Sequence, residues 1–192
     1  LIAHWPGVVG ERKTCDALVG LNDFIATFAE LSASKLSHNE GPDSISFANL
    51  LRTPDADGHR KTLVMQSVGA FAIRDGNWKL CLCPGSGTPG SGGNATGNDP
   101  SPDIAWQTAL EEFKGKPAES DLLRPPFVQL FDLNHDPHED HNLAARHPAR
   151  VKQMVALLQQ QVENGRSTPG PKLNNDKHVK IVNINDRRLP VV

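Results

Sequence analysis

Apolar positions along the chain switch between strand-like and helix-like spacing, and the switches mark its elements. Leu1-Ile2-Ala3-His4-Trp5 opens as an apolar run stopped by Pro6-Gly7, which predicts a buried strand and a turn. Val8 to Gly20 reads as a loop with a short extended piece. Asn22 or Asp23 can then cap a helix in which the apolar Phe24, Ile25, Phe28 and Leu31 recur at helical spacing. A polar loop, Ser32 to Asp43, leads to a second short helical piece over Ile45 to Leu51. Thr53 to Arg60, with Pro54 and Asp57-Gly58, is a turn-rich link.

The middle of the chain changes period. Thr62 to Val68, Phe71 to Arg74 and Trp78 to Cys83 predict three strands. Asp75-Gly76 joins the second and third, a dipeptide that readily supplies the positive φ of a tight hairpin. Pro84 to Asp103 is almost devoid of apolar residues and predicts a long Gly/Pro/Ser-rich loop. Ile104 to Phe113, with Trp106 and Leu110, predicts a short helix. Phe127 to Leu133, after Pro125-Pro126, predicts a fourth strand. The strongest helical pattern follows His147-Pro148. There Val151, Met154, Val155, Leu158 and Val162 share a face, and Arg150, Lys152, Gln153, Gln159, Gln160 and Glu163 turn away. Asn164-Gly165 ends it. Arg166 to Lys177 is an irregular arm, and Val179 to Ile184 an extended segment.

These elements predict an α+β fold, a small antiparallel sheet of about four strands packed against a long amphipathic C-terminal helix. Ahead of it, residues 1–52 read as the tail end of a larger α/β domain. Residues 53–192 form the second unit, with the exposed loop at 84–103 and the irregular arm at 165–192. The opening has no initiator Met, charged n-region or signal peptide. An initial strand needs a neighbour to pair with, so the expectation is a chain cut from a larger protein.

Charge and composition narrow the partners. The 192 residues carry a formal net charge of −2 with no basic cluster, which argues against nucleic acid. No apolar run approaches the roughly 20 residues of a membrane span. The cysteines, Cys15, Cys81 and Cys83, cannot complete a disulfide framework. Cys81 and Cys83 share a strand face and read as small core hydrophobes.

The candidate chemistry is sparse. Asn134-His135-Asp136-Pro137-His138-Glu139-Asp140-His141 has the composition of a metal site. Asp136-Pro137 favours a turn that scatters the histidines, so a solvated turn without metal is expected. His4 beside Trp5 reads as a core histidine rather than a base. Asn94-Ala95-Thr96 fits a glycosylation sequon. There is no Ser/His/Asp set, phosphate-cradling loop or pair of carboxylates on one helix.

Four phrases and a tail, in order, carry a resemblance. They are Ile2-Ala3-His4-Trp5-Pro6-Gly7; Leu21 to Leu31 with Asp23, Thr27 and Leu31; Phe71-Ala72-Ile73-Arg74-Asp75-Gly76-Asn77-Trp78-Lys79-Leu80; and Gln129 to Leu133 followed by Asp136-Pro137, Glu139 and Asn142-Leu143-Ala144. Gly165-Arg166-Ser167-Thr168-Pro169-Gly170 follows. In this order they resemble the last third of sulfatases of the arylsulfatase A-like group, in the alkaline phosphatase superfamily. In that family the formylglycine nucleophile and the carboxylate and amide ligands of a calcium ion precede this segment. Calcium and formylglycine are therefore expected in the full-length enzyme and none is expected to be bound by this chain, which alone should be inactive. Cys83 is not the nucleophile, because Pro84 follows it directly and no Arg stands at the fourth position after it.

The resemblance further implies a partner, the N-terminal catalytic portion of the same protein. It implies a carbohydrate or aryl sulfate ester as substrate and a periplasmic or secreted location. The segment would border the substrate cleft, with Gln66, Ser67, Gly85 and Ser86 touching the part of the substrate beyond the sulfate. Relatives often carry a histidine where Met65 or Gln66 stands. Two alternatives stay open: a non-catalytic binding module built on a sulfatase tail, and part of a phosphoester or phosphonate hydrolase of the same superfamily.

Overall fold

A computed structural model describes residues 1–56, 60–67, 70–82, 128–179 and 181. Its helices are α1 (Phe24–Leu31), α2 (Ala48–Arg52) and α3 (Pro148–Glu163), with short 3₁₀ turns at Leu21–Asp23 and Ala144–Arg146. Its strands are β1 (Thr62–Ser67), β2 (Ala70–Asp75), β3 (Trp78–Leu82) and β4 (Val128–Asp132). The chain divides into two compact units, one of residues 1–63 and 163–176, the other of residues 64–162 and 177–192. The sequence reading divides it between residues 52 and 53.

The second unit is the α+β fold that the alternating pattern predicts. Its strands lie in the order β1-β2-β3-β4, and β3 runs antiparallel to both β2 and β4. Asp75 pairs with Trp78 across a two-residue loop, and Gly76 takes the positive φ of 58° that such a loop needs at its first central position. Because successive side chains alternate, the sheet has two different faces. Phe71, Ile73, Leu80, Leu82 and Leu130 bury one face together with Val151, Met154 and Leu158 of α3, and Ile181 and Val179 join the same cluster. The opposite face carries Ala72, Cys81 and Phe131, flanked by Met65 and Leu133, so Cys81 fills core volume as expected. Each large side chain buried here contributes about 1.5–3 kcal/mol.

The outer edge of β4 is closed by side-chain chemistry. Asn142 Oδ1 accepts from the Leu130 N–H at 3.0 Å while its Nδ2 donates to the Val128 carbonyl at 3.1 Å. The Leu143 N–H then donates to the Leu130 carbonyl at 2.8 Å. Asn142 thus imitates a neighbouring strand and satisfies backbone groups that an edge strand would otherwise expose.

The first unit departs from its sequence reading in two places. Leu1 to Trp5 is not a strand; Leu1 and Ile2 are almost fully exposed, and His4 is exposed and not a core histidine. No strand lies beside this run among the described residues, and unpaired extended backbone gains nothing over solvated coil. Helix α1 forms where the spacing predicts it. Its fully buried positions are polar, Asp23 just before it and Thr27 within it. Ile25 and Phe28 face solvent at 52% and 61% exposure. Phe24 and Leu31 of the same helix are half-buried, and Phe24 stacks edge-on against Phe47, ring centroids 5.2 Å apart. The second departure is the second helical piece, α2, which starts later than predicted and buries Ala48 and Leu50 behind Phe47.

Residues 163–176, predicted as an irregular arm, have no regular secondary structure but are firmly bonded within the first unit. The Ser167 N–H donates to Asp43 Oδ1 at 2.6 Å and the Thr168 hydroxyl to the Pro42 carbonyl at 2.6 Å. Gly165, at φ 61°, brings its backbone so close to Leu173 that a Cβ would sit 2.6 Å from that residue's carbonyl oxygen. Only glycine satisfies both demands.

Candidate functional site

The residues expected at the substrate meet the structure in two ways. Gln66 and Ser67 end β1, and the exposed Gln66 is within the described residues. The two-residue link from Ser67 to Ala70 puts that end at the same end of the sheet as Leu82 and Val128, since Leu82 pairs with both Phe71 and Val128. Gly85 and Ser86 belong to the connection between Leu82 and Val128 and lie outside the described residues, as do Cys83, the sequon at Asn94 and the expected helix at 104–113. The topology therefore brings Gln66 and Ser67 to the sheet end where that connection leaves and returns. A carboxamide at this place is neutral and offers both donors and an acceptor. It suits recognition of a hydroxyl or amide rather than bond cleavage.

The histidine-rich turn occupies the opposite end of the sheet. Asp136 Oδ1 and Oδ2 accept the backbone N–H groups of Asp140 and His141 at 3.0 and 2.9 Å. Those two bonds hold its carboxyl below the usual carboxylate range. Asp132 is lowered too, first by its bond to His135 Nδ1 at 2.8 Å. His135 and His141 thus attend different carboxylates, and all three histidines are exposed. Among the described residues no group of three or more His, Cys, Asp or Glu is arranged to hold a metal ion.

Two of the resembling phrases meet here. Lys79, from the Trp-Lys phrase, donates to both oxygens of Glu139, from the Asp-Pro phrase, at 2.6 and 2.8 Å, with both side chains largely buried. Glu139 holds this place with a positive φ of 61°. Beside it, Trp78 meets the His147 ring edge-on at 5.3 Å and carries the Arg150 guanidinium 5.4 Å above its ring centre. Arg150 also reaches Asp75 at 3.8 Å.

Of the buried polar centre of the first unit, the sequence singles out Asp23 and Thr27, in the resembling phrase, and not Arg60. Arg60, 6% exposed, forms a buried ion pair with Asp23 through two guanidinium nitrogens, the Nε contact being 2.9 Å. Its remaining donors reach the backbone carbonyls of Asp43 and Thr62 at 2.7 and 3.0 Å. Asp23 also accepts from the N–H groups of Gly20 and Ile45 at 2.7 and 2.9 Å. Thr27 donates to the Asp23 carbonyl at 2.7 Å and accepts from the Phe47 N–H at 3.1 Å. Every part of this centre is satisfied, the condition under which a buried charge is tolerated. It is a joint that positions α1, with no open position for a substrate group.

The architecture comprises an α+β unit and another unit with its own polar centre. No family model matches the chain. Its sequence is related to a sulfatase. It is 29% identical, over 161 residues, to the N-acetylgalactosamine-6-O-sulfatase of Bacteroides thetaiotaomicron, a match covering 82% of this chain and 26% of that protein. The chain thus spans about a quarter of the length of the curated relative it matches. A solved structure described under metabolism of multiple glycosaminoglycans by Bacteroides thetaiotaomicron is 26% identical, with a TM-score of 0.47, covering 72% of this chain and 24% of that one. Among the described residues no helix is long and apolar enough to cross a membrane.

Proposed function

We propose that the chain is the C-terminal segment of a sulfuric ester hydrolase, completing that enzyme's fold and bordering its substrate cleft. The observation that carries this is the 29% identity to a sulfatase across 82% of the chain. The meeting of Lys79 with Glu139 supports it, because two phrases matched separately in sequence form one joint. The alternatives, a stand-alone binding module and a phosphoester hydrolase segment, have no such observation in their favour.

In this reading the N-terminal catalytic portion supplies formylglycine and calcium, whose chemistry is attack on sulfur and charge stabilisation. This chain supplies walls. Gln66 and Ser67, with Gly85 and Ser86 in the following connection, touch the part of a carbohydrate or aryl sulfate that is not sulfate. The relative's named activity points first to a 6-O-sulfated amino sugar. The place of action is periplasmic or extracellular, and the 192-residue chain alone releases no sulfate.

The experiment is a replacement. This chain takes the place of the matched quarter of the Bacteroides enzyme, and sulfate release from 6-O-sulfated N-acetylgalactosamine is measured. The chimera should turn over. Gln66→Ala in it should lower kcat/KM on the sugar sulfate by about 3- to 10-fold and leave a small aryl sulfate less affected, as expected when one sugar contact is lost. A folded chimera with no sulfate release would overturn the reading.

A further inference from the structure

Helix α1 buries a polar pair and leaves an apolar face exposed, which singles out a surface. Leu21, Ile25 and Phe28 recur four and three residues apart and so lie on one face across the 3₁₀ turn and the helix. They are 85%, 52% and 61% exposed. The opposite face is fixed: Thr27 and Asp23 are bound to Phe47, Ile45 and Arg60, and the Ala26 N–H donates to Ser44 Oγ at 2.8 Å. The helix cannot roll to bury its apolar stripe without breaking a satisfied buried ion pair. Phe28 packs beside Phe24, ring centroids 5.4 Å apart, and Ile25 lies beside Gly41, where a Cβ would come within 3.0 Å of Ile25 Cγ2.

We propose that Leu21, Ile25 and Phe28 form the seat on which the part of a sulfatase not spanned by this chain packs. The proposal rests on the reading of the chain as a sulfatase segment. Two features of the face choose this occupant. The stripe contains no charge, which suits an apolar protein wall and not an anionic sugar or a nucleic acid. It is also small, an eight-residue helix of about 12 Å. A stable pairing of two free copies needs about 800 Å² from each, whereas a surface joined to its occupant as one polypeptide gains from high effective concentration. The match covers 26% of a sulfatase, so in such an enzyme most of the chain lies beyond this segment and is available to cover the stripe.

Amide hydrogen exchange tests it. In the chimera described above, amides of residues 24–31 should exchange at least about tenfold more slowly than in the isolated 192-residue chain. The triple variant Leu21→Gln/Ile25→Gln/Phe28→Gln should abolish that difference, and Phe28→Leu should preserve it. A two-piece version guards against a chimera that fails to fold. This chain is co-expressed with the Bacteroides enzyme lacking its matched stretch, which carries the tag. Wild type and Phe28→Leu should co-purify with it and the triple variant should not. In isolation the triple variant should keep the circular dichroism of the wild type, because its polar back face is untouched.

Equal exchange in both contexts, or co-purification indifferent to the triple variant, would overturn the proposal. So would sedimentation of the isolated chain as a dimer that the triple variant dissolves, which would give the face to a second copy. A protected helix in a chimera that releases no sulfate would leave the seat standing and remove the catalytic reading alone.

Discussion

Helices α1 and α3 carry the same kind of apolar stripe and use it in opposite ways. In α3, Val151, Met154 and Leu158 are almost wholly buried against the sheet. In α1, the buried positions are Asp23 and Thr27 while Ile25 and Phe28 face solvent. A stripe says that a face favours being covered, and it does not say what covers it. For α3 the cover is a sheet encoded close by. For α1 the orientation is set by an ion pair with Arg60, which holds the helix from its polar side. The second unit is thus held by an apolar core, the first by a polar joint with apolar surface to spare.

That contrast can be broken most directly at the joint. Arg60→Ala leaves the Asp23 carboxylate buried without its partner and should cost about 3–5 kcal/mol, read as a fall in the urea midpoint of a probe in the first unit. If Arg60→Ala proved nearly neutral, the polar joint would not be what orients α1. In the second unit Leu158→Ala should cost about 2–5 kcal/mol through the cavity it opens. Ile25→Ala, of comparable size change, should stay within about 0.5 kcal/mol in the isolated chain. Equal losses at Leu158 and Ile25 would erase the distinction between the two stripes.

Smaller effects sharpen the picture of the sheet. Asn142→Ala removes the side chain that closes the β4 edge and should cost about 1–2 kcal/mol, with faster exchange of the Leu130 amide as its specific sign. Asn142→Asp keeps the acceptor for Leu130 and loses the donor to Val128, so it should fall between the two. The least effect is expected from acid. The carboxyls of Asp136 and Asp132 are depressed in the folded chain by bonds to their charged form. Their contribution is full above the ordinary carboxylate value of about 3.9 and fades as pH falls through the lower folded values. A carboxyl-carbon NMR titration should place Asp136 below that value, and Asp136→Asn should flatten the acid limb of the stability curve. An Asp136 midpoint at or above the ordinary value would remove the anchoring role of the Asp140 and His141 amides.

Much of the second unit was legible because its instructions are local. The β2–β3 hairpin needed only alternation on either side of Asp75-Gly76, and α3 only Pro148 at its start and Gly165 after its end. The histidine-rich turn was legible as a turn because Asp136 binds amides four and five residues ahead. Less was legible of the candidate site. Gln66 and Ser67 could be placed at a strand end, but that they share the sheet end of Leu82 and Val128 follows from strand order and pairing. Arg60 was passed over because it stands alone at the end of a turn and its partner is 37 residues away.

By itself, then, the sequence determined where chain direction and period change: the hairpin, the four strands, the long helix and its limits. Those features depend on backbone geometry and on residues within one or two turns of each other. It also carried the likeness to a sulfatase, since ordered phrases survive as text. Only the tertiary structure decided which face of α1 is buried and that Leu1 to Trp5 stays unpaired. It alone brought Lys79 to Glu139, residues 60 apart, and Arg60 to Asp23. The reason is common to all four. Burial and ion pairing are settled between groups far apart in the chain, and a local spacing pattern carries no information about which distant group arrives.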